Sequence, residues 1–132
     1  MAELKYPLST SGRDAVRTAT SRPVSEITLE AVVAGEVEPQ DVAVAPETLR
    51  LQAGFAEDGG NRQLAENLRR GAELVAFSDD ELLRFYEMLR PGRSSAAELD
   101  SLAETLLERG AARCAALVRE ARAAYVRRGL IA

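Results

Sequence analysis

Ser95–Arg128 reads SAAELDSLAETLLERGAARCAALVREARAAYVRR, and the spacing of its apolar residues decides the fold class. The stripe Leu99, Leu102, Leu106, Gly110, Cys114, Leu117, Ala121, Tyr125 advances 26 residues in seven steps, about 3.7 per step. That is the period of an α-helix and not the two-residue alternation of a strand. Ser95 and Glu98 stand at capping-box spacing, where the serine accepts from the third amide of the helix and the glutamate reaches back to the first. Unbroken to Arg128, such a helix would run about 50 Å. Gly110 is the position in the stripe that can bend or interrupt it, at a cost of about 1 kcal/mol relative to alanine.

Upstream, Ser78-Asp79-Asp80-Glu81 repeats the capping-box pattern and opens a helix through Leu82, Phe85, Tyr86 and Leu89, which Pro91-Gly92 stops. Pro46 suits a first helical turn, with Glu47 near the positive end of the dipole. Leu49, Gln52, Ala53 and Ala56 then recur at helical spacing up to Gly59-Gly60. Asn61 can cap the next helix, in which Leu64, Ala65, Leu68, Ala72 and Val75 line one face, so the two should pack as a hairpin. Ile27–Val33 suits a short helix stopped at Gly35. Pro39 biases Glu38 toward an extended connector, and Val42 and Val44 suggest a brief strand-like passage with no second strand to pair it. Residues 1–26 contain Pro7, Gly12, Pro23 and many Ser and Thr. They read as an extended N-terminal arm, either disordered or ordered along a partner. The expectation is therefore all-α: one small helical domain over 27–132, with about four to five helices including a long C-terminal one, preceded by the arm.

Composition narrows the chemistry. With 132 residues the chain has the length of one domain, and its three Phe, three Tyr and no Trp make a thin core. Docking on a partner would supply the missing burial, since obligate interfaces resemble a domain core cut in half. Histidine is absent, which removes the side chain best suited to proton transfer near neutral pH and the commonest metal ligand. Cys114 is the only cysteine, so neither an intrachain disulfide nor a cysteine-rich zinc site is available, and a small buried hydrophobe is the simpler role. A formal charge of −4 from 17 basic and 21 acidic side chains argues against nucleic acid as partner. No apolar run approaches the roughly 20 residues that span a bilayer, and no apolar leader opens the chain, so it reads as a cytosolic protein.

Local motifs offer little chemistry. Asp79-Asp80 is explained by the helix start. Glu57-Asp58-Gly59-Gly60-Asn61 lacks the spaced oxygens and closing glutamate of a calcium loop, and Gly92-Arg93 is too little for a phosphate loop. Arg69, Arg70, Arg84, Arg90 and Arg93 could gather an anion, but solvated helix surfaces with neighbouring carboxylates account for them better. No catalytic, cofactor-binding or metal-ligating residue is expected in this chain.

A series of segments carries a resemblance. Tyr6-Pro7-Leu8, Ile27-Thr28-Leu29-Glu30, Gln40-Asp41-Val42 and Pro46-Glu47-Thr48-Leu49-Arg50-Leu51-Gln52-Ala53 open it. Arg70, Ala72-Glu73-Leu74, Leu89-Arg90-Pro91, Arg93-Ser94, Val118-Arg119-Glu120-Ala121 and Tyr125 continue it. In order and spacing these resemble the small subunit of adenosylcobalamin-dependent propanediol (diol) and glycerol dehydratases, over nearly the whole chain from Tyr6. The resemblance implies a lyase complex of three different subunits, usually a dimer of heterotrimers. The large subunit is a (β/α)8 barrel holding substrate, a potassium or calcium ion and the radical chemistry, and the medium subunit helps bind the cobalamin. The small subunit is mostly helical, packs on the large one and supplies no catalytic residue. In that setting Tyr6, Pro7, Leu49, Arg50, Gln52, Arg90 and Arg93 are the expected subunit interface, because they match the family pattern without an obvious local task; for Arg90 and Arg93, capping of helix carbonyls is the alternative. The run Pro46–Ala53 resembles the propanediol type, whereas the short segment before Tyr6 resembles the glycerol type. The site of action is the cytosol, either free or inside a bacterial microcompartment. Composition and periodicity alone leave two other readings open, a free-standing helical adaptor or regulatory module and a self-contained enzyme working with carboxylates.

Overall fold

The computed structural model describes residues 4–131. The fold is all-α. Its helices are α1 (Leu8–Ser11), α2 (Leu29–Val33), α3 (Pro46–Asp58), α4 (Arg62–Leu74), α5 (Asp79–Met88), α6 (Ala96–Glu108) and α7 (Ala112–Arg127). Among the described residues no strand forms; Arg17 and Pro23 make an isolated antiparallel bridge. The chain divides into two compact units, Met1–Ala72 and Glu73–Ala132, and each is described on its own.

In the second unit the 50 Å helix is not formed. α6 and α7 hold 13 and 16 residues, about 20 and 24 Å long, and fold back on each other. The ion pairs Glu104–Arg119 (2.8 Å) and Asp100–Arg122 (3.1 Å) show the antiparallel pairing. The reversal is a Schellman turn. Gly110 takes φ +80°, its N–H donates to Leu107 O (3.1 Å), and the Ala111 N–H donates to Leu106 O (2.8 Å). Left-handed backbone of this kind costs a residue with a Cβ about 1–2 kcal/mol, so glycine turns an apparent mid-helix position into an ending. The turn also re-aims the stripe. Leu99, Leu102 and Leu106 are buried as expected, but on α7 it is Ala115 and Val118 that point inward with Cys114, while Leu117 is 42% exposed.

α7 begins without a capping side chain of its own, because its N-cap is Ala111. Glu73, at the end of α4, supplies the acceptors from 40 residues away: its carboxylate oxygens accept from the Arg113 N–H (3.0 Å) and the Cys114 N–H (2.9 Å). These are two of the amides that a helix start leaves without intrahelical partners. α5 and α6 instead cap themselves through Ser78/Glu81 and Ser95/Glu98, both complete capping boxes. In these boxes the Ser78 and Ser95 backbone amides hold the Glu81 and Glu98 carboxyls below their ordinary range, with Arg109 adding to the effect on Glu81. Tyr125 Oη donates to the C-cap carbonyl of α5, Leu89 O, at 2.6 Å. Phe77 meets Phe85 edge-on at 5.4 Å and carries the Arg109 guanidinium 4.0 Å above its ring. Around these contacts lies a true apolar core of Phe77, Leu99, Leu102, Leu106 and Val118.

The first unit is built differently. α3 starts on Pro46 and ends in a second Schellman turn, with Gly60 at φ +81° and the Asn61 N–H donating to Ala56 O at 2.8 Å. Asn61 Oδ1 then caps α4 by accepting from the Leu64 N–H (3.1 Å). Arg69 on α4 reaches back to Glu57 on α3, as the hairpin reading expects, and Ala53 and Ala65 are fully buried. Val42 closes a 3-10 turn over Pro39–Val42, and Ala43 and Ala45 are extended without pairing. The N-terminal arm is extended at Pro7, Val16 and Pro23, between the single turn of α1 and two short 3-10 turns.

Candidate subunit interface

Among the described residues a buried carboxylate is the centre of the arm's polar contacts with the rest of its unit. Asp41, 8% exposed, accepts from Thr20 Oγ1 (2.6 Å), from the Glu38 N–H (2.8 Å) and from Arg22 Nη1 (3.3 Å). The Thr20 hydroxyl first, then the Glu38 amide and the Arg22 charge, hold its carboxyl below the usual carboxylate range. Arg22 continues to Glu36 O (2.5 Å) and Glu26 (3.2 Å). Asp41 belongs to one of the motif segments, and its geometry gives it a structural task.

The seven expected interface residues fall into separate groups. Tyr6 is 79% exposed and leans edge-on against Phe55 with ring centres 6.0 Å apart. With Gln52, Phe55 and Leu64 it lines a hollow of about 510 Å³, while Pro7 stands exposed at the start of α1. Leu49 is half-buried, with its Cδ1 3.8 Å from where a Cβ on Gly71 would stand. Arg50, one residue on, is exposed and pairs with Glu47 at 3.6 Å. In the second unit Arg90 (3.0 Å) and Arg93 (3.4 Å) converge on the single carboxylate of Glu87, each side chain more than half exposed. Among the described residues these guanidinium groups pair with a carboxylate and not with helix carbonyls, leaving a net positive cluster at the end of α5.

A contrast in burial was missed from the sequence. The second unit buries large side chains, whereas the hydrophobic residues buried among the described residues of the first are Ala31, Ala45, Ala53, Ala65 and Ala72. Leu49, Leu51 and Leu68 are only half-buried, and several other aliphatic groups face outward: Leu29 is 74%, Val33 79% and Val42 66% exposed. Alanine brings little area out of water, on the order of one methyl group each. The available signal was Ile27–Val33, apolar on more than one face and too short to have two buried sides.

No helix among the described residues is long and apolar enough to cross a membrane. A family model described as "Dehydratase small subunit" matches residues 1–132. The propanediol dehydratase small subunit of Citrobacter freundii is 48% identical over 124 residues, covering 93% of this chain and 72% of that protein. The propanediol dehydratase small subunit of Salmonella typhimurium (strain LT2) is 47% identical over 124 residues, with the same 93% and 72% coverage. Matched along its whole length and close to half identical to two such subunits, the chain belongs to the dehydratase small-subunit family.

Proposed function

We propose that this chain is the non-catalytic small subunit of an adenosylcobalamin-dependent diol or glycerol dehydratase, and that it acts by stabilising the catalytic large subunit. The observation that carries the reading beyond kinship is that, among the described residues, the first unit fully buries only alanines of its hydrophobic residues, leaves Leu49, Leu51, Phe55 and Leu68 half-buried, and turns Leu29, Val33 and Val42 outward. A unit that buries so little apolar area gains its stability from a surface outside itself, and binding to the native partner stabilises both by mass action. The partners are a large (β/α)8-barrel subunit and a medium cobalamin-binding subunit in a dimer of heterotrimers, working in the cytosol or within a microcompartment.

The cobalamin and the potassium or calcium ion belong, in this proposal, to the other subunits. Bound to those subunits, cobalamin would supply the radical chemistry by which a diol loses water to give an aldehyde. The interior carboxylates of this chain do not fit the ion. Asp41 is taken up by Thr20, Glu38 and Arg22, and Glu73 by the amides that open α7. Its contribution is to cover and hold the surface around chemistry that must be kept from solvent.

The test is co-purification with the larger subunits and assay with adenosylcobalamin. Activity is expected to depend on the cofactor, to be absent from the isolated chain, and to fall when this chain is omitted. Full and equally durable activity without it would refute the stabilising role.

A further inference from the structure

α2 is amphipathic in the sense opposite to that of a free-standing protein. Its buried residue is Ala31. Leu29, Val32 and Val33, at i, i+3 and i+4, share the other side and are 74, 51 and 79% exposed. Three aliphatic side chains side by side in water on one turn of helix form an apolar patch of the kind that often marks a contact surface.

The charge around them is mostly acidic, with Arg22 set against the Glu36 carbonyl. From Pro23 to Leu49 the sequence contains six carboxylates and no lysine or arginine. Glu26 and Asp41 share the single charge of Arg22, and Glu47 pairs with Arg50. Glu30, Glu36 and Glu38 are exposed and form no ion pair among the described residues. An aliphatic centre with an acidic border selects a counterpart that is apolar in the middle and basic at its edge. A second copy of this chain is a poor counterpart, since a two-fold contact sets the patch against itself and brings the same glutamates together.

We propose that the outward face of α2, with Leu29, Val32 and Val33 at its centre and Glu30 and Glu36 at its border, is a docking surface for the large subunit of the dehydratase. It fits a protein surface with an apolar centre ringed by lysine or arginine. This rests on the small-subunit reading above, and adds which face makes the contact and what it meets.

The experiment co-expresses the full chain with a tagged large subunit and the medium subunit, and measures how much small subunit is retained as salt is raised. Leu29→Ser with Val33→Ser alters two exposed positions, so the isolated chain keeps its helical circular dichroism, while retention falls at least about tenfold. Glu30→Lys with Glu36→Lys gives a second loss that shrinks at high salt, because it acts through screened charge. Leu83→Ser, at a position 67% exposed on α5, leaves retention unchanged. Wild-type retention of both double variants would overturn the proposal while leaving the small-subunit reading intact. Equal loss in Leu83→Ser, or a dimer of the isolated chain that Leu29→Ser with Val33→Ser dissociates, would overturn it as well. Failure of the unaltered chain to co-purify with either larger subunit would instead remove the small-subunit reading, and the docking surface with it.

Discussion

Replacing Glu73 by alanine takes away two acceptors that the first turn of α7 finds outside its own helix, the oxygens 3.0 and 2.9 Å from the Arg113 and Cys114 amides. The Ala111 N-cap has no side-chain oxygen to take over. Losing an N-cap costs about 0.5–2 kcal/mol, and here the acceptor is a charge lying at the positive end of a 16-residue helix. The expected cost is therefore at the upper end, about 2 kcal/mol. Glu73→Gln keeps an acceptor oxygen and loses the charge, for about 1 kcal/mol. Urea unfolding of the full chain should show the midpoint of Glu73→Ala lowered by about 1 M. Hydrogen exchange gives the more specific measurement: the Arg113 and Cys114 amides should exchange about thirty-fold faster, the equivalent of about 2 kcal/mol of lost protection. Glu104→Ala is the comparison, because it removes an exposed ion pair with Arg119 and should stay within about 0.5 kcal/mol of wild type. Equal losses in Glu73→Ala and Glu104→Ala, with the two amides exchanging at unchanged rates, would refute the assignment of Glu73 as the cap of α7.

Gly110→Ala should destabilise the second unit by about 1–2 kcal/mol in thermal or urea unfolding. Nothing lies within 4 Å of a Cβ at Gly110, so the whole cost comes from its φ of +80°. Gly54→Ala, inside α3 and equally unobstructed, should instead stabilise by about 0.5–1 kcal/mol. Asp41, Glu81 and Glu98 all have folded-state pKa values below their ordinary 3.8, 4.5 and 4.5. A depressed carboxylate contributes stability that is complete above its unfolded pKa and is lost as pH falls through its folded one. Unfolding midpoints should therefore be level down to about pH 5 and fall below it, and Asp41→Asn should make that acid decline shallower when about pH 7 and about pH 3 are compared. For Arg90→Ala with Arg93→Ala, the co-expressed complex should lose small subunit at raised salt. Undiminished stoichiometry would leave these arginines only their local pairing with Glu87.

Features whose determinants lie within four residues were legible. The serine and glutamate of each capping box, the Asn61 cap and the glycines after α3 all act on their own turn of chain, and all stand where their spacing places them. The failures share a different cause. A reversal at Gly110 keeps the periodic count of apolar residues intact while changing their direction, so the 3.7-residue stripe continues in the sequence although the helix does not. The exchange of Leu117 for Val118 as the inward residue is set by how α7 returns along α6, which a single-helix period does not contain. Arg22–Asp41 and Glu73–Cys114 join residues 19 and 41 apart. The second had a faint mark, a helix opening on Ala111-Ala112 with no residue able to cap it. Of the residues expected at the interface, Arg50, Arg90 and Arg93 each also have a local glutamate partner, which motif matching does not reveal. The exposed face of α2 was passed over, because a five-residue helix is too short for periodicity to separate its two sides.

The only cysteine of the chain lies in the first turn of α7, 6% exposed and with its N–H held by Glu73. A thiol reagent reaches it fully only when the packing around the first turn of α7 opens, and no other sulfhydryl competes for the label. Cys114 is thus an intrinsic clock for one opening motion, whose labelling rate gives the population of the open form when reclosing outpaces reaction. Followed in the isolated chain and again in an assembled complex, that rate would report how far assembly steadies the unit that holds α7.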